Sequence, residues 1–580
     1  MGNRLYLQKL NSAQLDAIEI EDNVLLTAIP GSGKTRTLTN KVLYEYCNDE
    51  YKKIIAITYT NRASEEMEER IISQIGYIPD NIWIGTIHKF CLDYILRKYS
   101  GYSEYLSKPF SILGEDDDKK LIDELMKKYK VDFKTRIDYS LSVNGTPNEK
   151  KYYDYVYEYY QIQRENRKIN FNLILYESYL LLLNNQNIAR NLSSMIKYLC
   201  VDEYQDTQEL QYNILALIYK ASKKFGLFFV GDPNQAIYVG LGGIVKSKFE
   251  LEQLFNTTFS ELTLNECYRS NQKIIDFYSQ FALKRIDMLS ITEKYNNPEI
   301  IINKSISKES LVSHISSIIR KSLSDGISEN EICIIAPQWF FLYDISSKLR
   351  VELPNVKFDA PNVIPIKKDE NSICYKLSKI ILANYSFNNK NRIIFIIKEI
   401  KKQLNEEYGL NFDYSAYELL QFLFESETSD LIGTDYLQNS LYNFFNKIGI
   451  YDLFEQELID FIEQTKFRIK LYEKYGIEDS RLSFEKSLRS KEGIVVSTIH
   501  GIKGDEFRVV IAFGLLKGYV PHWDSILNTH TDKEDSKKLL FVLCSRAKEK
   551  LFLFAEQGRK TNSGEDYIIN NDLDNASIPL

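Results

Sequence analysis

Cysteine is scarce in this sequence. The 580-residue chain has seven, Cys47, Cys91, Cys200, Cys267, Cys333, Cys374 and Cys544. Their number is odd and no two stand at a Cys-x-x-Cys spacing. The five histidines do not gather near them, so no zinc or iron–sulfur site is expected. Most of the cysteines sit in apolar runs, as reduced core residues of a cytoplasmic protein do. An excess of positive charge is missing too. Lys and Arg number 73 against 80 Asp and Glu, a formal net charge of −7. Such a chain does not coat a polyanion through bulk charge, and any nucleic-acid contact has to sit in a local groove. No apolar run approaches the length of a membrane span. Met1-Gly2-Asn3-Arg4 lacks the apolar stretch of a signal peptide. Tyr6 stands where a myristoylation signal needs Ser or Thr. A cytoplasmic chain with no membrane partner is the expectation, and its length suggests about four domains.

Against these gaps stands one glycine-rich stretch, Ala28-Ile29-Pro30-Gly31-Ser32-Gly33-Lys34-Thr35. The apolar Val24-Leu25-Leu26 leads into it, and a run with helical promise, Arg36 to Tyr46, leaves it. Strand, glycine turn and helix are the context of a phosphate-binding loop. Backbone N–H groups in the turn point at phosphate oxygens, and the helix N-terminus adds a positive dipole end. Lys34 is placed to reach the β- and γ-phosphates, and the Thr35 hydroxyl to hold Mg²⁺. Ala28 replaces the usual first Gly and is small enough for the turn. A phosphate loop alone indicates a nucleotide and not a function.

Further strands end in polar groups. Lys53 to Thr58 opens into Tyr59-Thr60-Asn61-Arg62-Ala63, and Ile82 to Ile87 ends at His88. Tyr198 to Val201 ends in Asp202-Glu203-Tyr204-Gln205-Asp206, the acidic half of a nucleoside triphosphatase site. There Asp202 can hold Mg²⁺ and Glu203 can position and deprotonate water. Phe228 to Val230 ends in Gly231-Asp232-Pro233-Asn234-Gln235, where Gln235 could sense the γ-phosphate. In open α/β sheets ligands bind where strands end, so these groups line up with the phosphate loop. Between about 91 and 175 the pattern is helical with no convincing strand. Within it Tyr152, Tyr155, Val156 and Tyr159 fall on one helix face. Base stacking fits this aromatic run, but the spacing favours core packing. A second α/β pattern begins near 271. It is interrupted by a charged helical stretch and resumes at Ile494. The segment after about 557 is polar and reads as loose.

The order of these motifs resembles that of the UvrD/Rep/PcrA-type superfamily 1A DNA helicases over nearly the whole chain. Ala28 to Thr35, followed by Arg36, resembles motif I of that family, Ala56 to Ala63 motif Ia and Gly85 to His88 motif Ib. Asp202 to Thr207 resembles motif II, Gly231 to Tyr238 motif III and Tyr268-Arg269-Ser270 motif IV. Ser497 to Phe507 resembles motif V and Ser545-Arg546-Ala547 motif VI. The resemblance implies an α/β fold of two RecA-like P-loop motor domains, 1A and 2A, each interrupted by a mainly helical insertion, 1B and 2B. On this sequence domain 1A takes 1–90 and 181–270, with 1B at 91–180. Domain 2A takes 271–385 and 485–580, with a short 2B at 386–484.

The same resemblance implies a catalytic centre of Lys34, Thr35, Asp202 and Glu203, with Gln235 coupling the γ-phosphate to the nucleic acid and Arg269 and Arg546 as arginine fingers. It implies ATP contacts along Ala28 to Arg36 and at Gly504, with Gln14 reading adenine, Tyr268 stacking on it, and Glu506 at the ribose. Tyr59, Thr60, Asn61, Arg62, Thr86, His88, Tyr238, Thr498 and His500 would line a single-stranded DNA groove. The implied activity is 3′-to-5′ translocation on single-stranded DNA and at single-strand/duplex junctions, with ATP and Mg²⁺ as cofactors. A regulatory ATPase subunit of a nuclease is the rival. A small-molecule P-loop kinase explains neither Arg546 nor the paired α/β domains.

Three features depart from the family pattern. Gly240 stands where an aromatic residue usually stacks on a base, a platform worth about 1–3 kcal/mol. The 386–484 insertion is short. The sequence after motif VI is brief, so no nuclease domain is expected there. Ser497 to Phe507 and the compact length are similar to helicase subunits of Gabija-type antiphage systems. That narrower likeness implies a partner nuclease of the OLD family.

Overall fold

Strands β1 (Val24–Ala28), β2 (Lys53–Thr58) and β3 (Ile82–Thr86) are short, apolar and mostly buried. Runs of that kind suit parallel strands covered on both faces. The computed structural model describes residues 10–48, 51–132, 135, 137–238, 242–359, 366, 369, 372–382, 390–410, 413–429, 432–473, 478–488, 493–527, 531–561 and 563–579. Gly240 lies outside the described residues. The chain divides into two compact units, Met1–Glu266 and Cys267–Leu580.

In the first unit two-residue strands β4 (Ser111–Ile112) and β5 (Lys168–Ile169) pair with each other. They add a small parallel ribbon that the helical pattern of the segment hides. Strands β6 (Ile196–Asp202), β7 (Gly226–Gly231) and β8 (Ser260–Leu264) complete the main sheet. Its order is β3-β2-β6-β7-β1-β8, and every pairing is parallel. All carboxyl ends therefore share one edge, and the polar segments after β1, β2, β3, β6 and β7 meet there. Alternation along the strands builds two cores. Leu26, Ile54, Cys200 and Val230 face helices α1 (Ser12–Glu19), α2 (Lys34–Asn48) and α3 (Asn61–Ile75) through Ala17, Leu38, Val42 and Met67. Leu25, Ile55, Leu199 and Phe229 belong to the other core, which runs on into the first insertion.

That insertion holds the helices Glu115–Lys128, Tyr153–Glu165 and Phe171–Asn184. Tyr155, Val156, Tyr159 and Tyr160 of the aromatic run are buried in the shared core. Tyr152, one residue before the helix begins, is only partly buried. Tyr153 and Tyr157 face solvent and stack on each other, with ring centroids 6.1 Å apart. Core packing is thus the role of the buried face.

The chain enters the second unit through β9 (Glu266–Cys267), followed by β10 (Leu289–Ser290). Its main sheet contains β11 (Glu299–Asn303), β12 (Ile332–Ala336), β13 (Phe358–Asp359), β14 (Ile494–Thr498), β15 (Phe507–Ala512) and β16 (Ala547–Phe554). The order is β11-β16-β15-β12-β14-β13, again parallel throughout. The helical insertion has a core of its own, from Ile366 and the helix Ile373–Ile381 through to Phe484.

The segment after 557 is not loose. Lys517 N–H donates to the Ile568 carbonyl at 2.9 Å, and Asn570 N–H to that of Leu515 at 3.1 Å. Asn570 also caps the helix Asn571–Asp574, Leu573 is buried, and Tyr567 stacks on Tyr519. A few anchoring side chains hold a stretch whose average composition is polar. Six of the seven cysteines are buried and Cys47 is exposed, all of them free thiols. Among the described residues no helix is long and apolar enough to cross a membrane.

Candidate nucleotide site and nucleic-acid interface

The phosphate loop follows β1 directly. Gly31 and Gly33 adopt φ of +76° and +80°, the left-handed region that glycine enters without a Cβ penalty. At Gly33 a Cβ would also come within 2.7 Å of Gln14 Nε2. Ala28, Ile29, Pro30 and Ser32 are buried, and the Ser32 hydroxyl donates to the Ile29 carbonyl at 2.8 Å. Lys34 opens α2, with Thr35 and Arg36 half-buried behind it.

Gln14 is buried against this loop. Its Nε2 donates to the Ser32 carbonyl at 2.9 Å, and its Oε1 accepts the Asn11 N–H at 3.1 Å. The residue expected to read adenine therefore also caps its own helix and braces the loop.

The acidic strand end lies against the lysine. Lys34 Nζ is 2.5 Å from Glu203 Oε1, a pairing of residues 169 apart in the chain. Burial would lower the Lys34 pKa, but Glu203, Asp202 and Asp232 outweigh it and raise it. Asp202 is buried at the end of β6 and accepts the Glu203 N–H at 3.0 Å. Burial, then the neighbouring Glu203 charge, pushes its pKa up to about 7. Mg²⁺ prefers hard oxygen donors, and the Asp202 carboxylate and the hydroxyl of Thr35, the second residue of α2, are of that kind. Glu203 itself has φ +51° and ψ +46°, a left-handed conformation uncommon for a non-glycine residue.

A buried amide–carboxylate chain continues from Glu203. Gln205 Nε2 donates to Glu203 Oε2 at 2.5 Å, and its Oε1 accepts the Asp232 N–H at 3.0 Å. Gln235 Nε2 donates to Asp232 Oδ2 at 2.7 Å. Gly231 is required here, because a Cβ would meet Gln205 Oε1 at 2.1 Å. Gln205 received no role from the sequence, although it lies inside the quoted Asp202 to Asp206 motif.

Beside this chain Tyr59 and Tyr238 stack, centroids 4.8 Å apart and planes at 26°. Burial, reinforced by Asp206, raises both phenols, that of Tyr238 to about 12. Thr60 and Thr86 cap the helices that begin at Asn61 and Ile87. Asn61 and Arg62 are exposed. His88 meets the ring of Phe171 edge-on at 5.2 Å, and burial lowers its pKa to about 4, keeping the imidazole neutral at pH 7. Phe171 is 58% exposed, and no sequence signal singled it out.

The remaining expected residues lie in the second unit. Tyr268 is 40% exposed. Arg269 Nε donates to Glu506 Oε2 at 2.7 Å, and its Nη1 to the Ser545 carbonyl at 3.0 Å. Lys548 Nζ lies 2.9 Å from Glu506 Oε1. Burial alone would raise the Glu506 pKa, but the Arg269 and Lys548 charges hold it near 2. Gly504 ends its turn at φ +93°. Thr498 is buried and accepts the Gly501 N–H, whereas His500 is exposed. Arg546 is fully buried. Its guanidinium donates to the carbonyls of Val542 at 2.9 Å and Asp505 at 3.3 Å, and to the Ser545 hydroxyl at 2.8 Å. It ties the Gly504-Asp505-Glu506 turn to the preceding helix.

Two parallel sheets, the first with a phosphate loop facing a strand-end Asp-Glu pair, define a P-loop nucleoside triphosphatase of the two-motor kind. Residues 10–256 match the UvrD/REP helicase N-terminal domain, and residues 363–558 the UvrD-like helicase C-terminal domain. Together the matches take in about three quarters of the chain, which belongs to the UvrD/Rep/PcrA-type helicase family. Among its relatives are a probable DNA helicase II homolog of Mycoplasma capricolum, 26% identical across 95% of this chain and 85% of that protein. The ATP-dependent DNA helicase PcrA of Bacillus subtilis is 25% identical across 95% and 83%. The ATP-dependent DNA helicase Rep of Buchnera aphidicola is 26% identical across 96% of both.

Proposed function

We propose that this chain translocates 3′ to 5′ along single-stranded DNA and opens junctions with duplex, in DNA repair or antiphage defence. Its class, an ATP-hydrolysing DNA helicase, follows from its two helicase domains and from relatives named as ATP-dependent DNA helicases. The observation that carries the reading is the continuity at one sheet edge. Lys34 touches Glu203, and Glu203 connects through Gln205, Asp232 and Gln235 to the neighbourhood of the Tyr59–Tyr238 stack.

Hydrolysis here is a matter of positioning and charge. A γ-phosphate arriving at Lys34 competes with Glu203 for the ammonium. Glu203, released from that ion pair, orients the attacking water and takes its proton. Magnesium held by Thr35 and Asp202 would neutralise phosphate charge. Gln235 senses the γ-phosphate. Arg269 and Arg546 supply the transition-state cations, Tyr268 stacks on the base and Glu506 takes the ribose. Tyr59, Thr60, Asn61, Arg62, Thr86, His88, Tyr238, Thr498 and His500 hold the DNA strand, with bases stacking on the tyrosines.

The test is unwinding of 3′-tailed against 5′-tailed duplexes, with ATP hydrolysis followed as single-stranded oligonucleotide is added. Unwinding of the 3′-tailed duplex and DNA-stimulated hydrolysis are expected. A flat hydrolysis rate overturns the coupling to DNA, and a preference for 5′ tails overturns the direction. Gly240 at the usual aromatic position favours a second reading, an ATPase that regulates a nuclease partner of the OLD type and unwinds little. Co-purification with such a nuclease and weak strand separation would select it.

A further inference from the structure

Lys41 is the one fully buried lysine among the described residues, and its three ammonium hydrogens have three acceptors. Nζ donates to the carbonyls of Ile18 at 2.8 Å and Ile20 at 3.1 Å, and pairs with Glu45 Oε1 at 2.9 Å. The ring of Tyr198 lies 4.6 Å from it. Ile18 and Ile20 stand at the C-terminal end of α1, where orphan carbonyls and the helix dipole both favour a cation. Lys41 belongs to α2, two turns beyond Lys34. The helix that carries Gln14 is thus bound to the helix that carries the phosphate lysine.

Helix α1 has eight residues, too few to hold an orientation by itself. Burial of Ala17 and Ile18, together with polar tethers, sets where it lies. At one end Asn11 forms a capping box with Gln14 and donates to Glu266 at 2.7 Å. In the first turn Gln14 donates to Ser32 at 2.9 Å. At the far end Lys41 holds both carbonyls. A glutamine amide has two N–H donors and two oxygen lone pairs. The bonds to Ser32 and Asn11 take one of each, leaving one N–H and one lone pair. That remainder complements the N7 acceptor and the N6 amino donor of adenine. The match is directional, so a small tilt of α1 spoils it.

We propose that Lys41 is a positioning residue for nucleotide-base recognition, fixing α1 so that Gln14 presents this remaining donor–acceptor pair to the adenine of ATP. The inference rests on the reading of Gln14 as the base-reading side chain.

The experiment compares steady-state hydrolysis of ATP and GTP by the full chain with saturating single-stranded oligonucleotide. The proteins are wild type, Gln14→Ala, Lys41→Met, Lys41→Arg and the Gln14→Ala/Lys41→Met double variant. Lys41→Met is expected to raise the KM for ATP about tenfold while kcat changes by less than about twofold, and to narrow the preference for ATP over GTP. Lys41→Arg, which can still donate to both carbonyls, is expected to restore most of that preference. Adding Lys41→Met to Gln14→Ala is expected to narrow it no further, because both act through one amide. If Gln14→Ala leaves the preference unchanged, the base-reading role fails and the inference fails with it. If Gln14→Ala narrows the preference but Lys41→Met shifts ATP and GTP equally, the positioning role alone is overturned. Should Lys41→Met not fold, as judged by thermal melting, Glu45→Gln carries the test. It leaves Lys41 charged with a weaker third partner and is expected to narrow the preference about twofold to threefold. An unchanged ratio there overturns the inference.

Discussion

Tyr155 and Val156 of the first insertion share one apolar core with Leu199 and Val201 of β6, the strand that delivers Asp202 and Glu203. Tyr436, Leu441 and Phe445 of the second insertion pack among residues 366–484, while the sheet of that unit keeps its own core around Ile334, Val496 and Ile511. The first insertion is therefore welded to the catalytic sheet and the second is an attached body. Close-packed interiors transmit strain, so a defect in the first should reach the phosphate site, and a defect in the second should stay local.

The largest expected effect tests this directly. Tyr159 is buried in the shared core, where its hydroxyl reaches Asp118 at 2.5 Å and accepts from Asn170 at 3.0 Å. Tyr159→Ala should cost about 3–5 kcal/mol, and ATP hydrolysis should fall together with the melting of the first unit. Phe445→Ala removes a ring stacked on Phe454 and should cost a similar amount within the second insertion while basal hydrolysis persists. Calorimetry with parallel ATPase assays reads both. Loss of hydrolysis in Phe445→Ala would erase the contrast.

Lys34→Ala comes next, with hydrolysis reduced by about 10²–10³-fold while both insertion cores melt as in wild type. A large shift in melting would show that the Lys34–Glu203 pair is structural as well as chemical.

The pH dependence sharpens the contrast within the second unit. Arg269 and Lys548 depress Glu506 to about 2, below its ordinary value of 4.5, so its ion pairs are fully stabilising above pH 4.5 and fade as pH falls toward 2. Glu457 belongs to the helix Tyr451–Tyr472, its carboxylate accepts from the Ser372 hydroxyl and the Cys374 N–H at the start of the helix Ile373–Ile381, and burial shifts it upward. Its contribution is complete below its ordinary value and is lost as pH rises through the raised one. Mild acid should therefore tighten the second insertion before it weakens the Glu506 network. Denaturation followed from pH 3 to 8 by limited proteolysis reads the two regions separately, and Glu457→Gln should flatten the dependence of the insertion alone.

The smallest effect is expected on the surface. Tyr153→Ala should change stability by roughly 0.5 kcal/mol or less and leave DNA affinity unchanged. A tenfold loss in oligonucleotide binding would make the exposed Tyr153–Tyr157 pair a nucleic-acid contact after all.

Strand and helix periods, glycine turns and polar strand ends are local properties, so residues 24–35, 53–63 and 198–206 declare their elements and order from the sequence alone. A continuous parallel sheet then obliges their carboxyl ends to share an edge. Burial period likewise marked Tyr155 and Tyr159 as core. The polar average after residue 557 concealed Asn570 and Leu573, because one well-placed amide and one buried leucine can anchor a segment whose composition suggests otherwise. What sequence could not decide is which polar groups meet across long loops. The bonds of Lys34 to Glu203, Gln14 to Ser32, Lys41 to Ile18 and Arg269 to Glu506 depend on helix orientation and side-chain reach. Only the packed tertiary structure brings these partners together, and at Gln14 and Lys41 it also excludes water, so that each polar group must choose a partner.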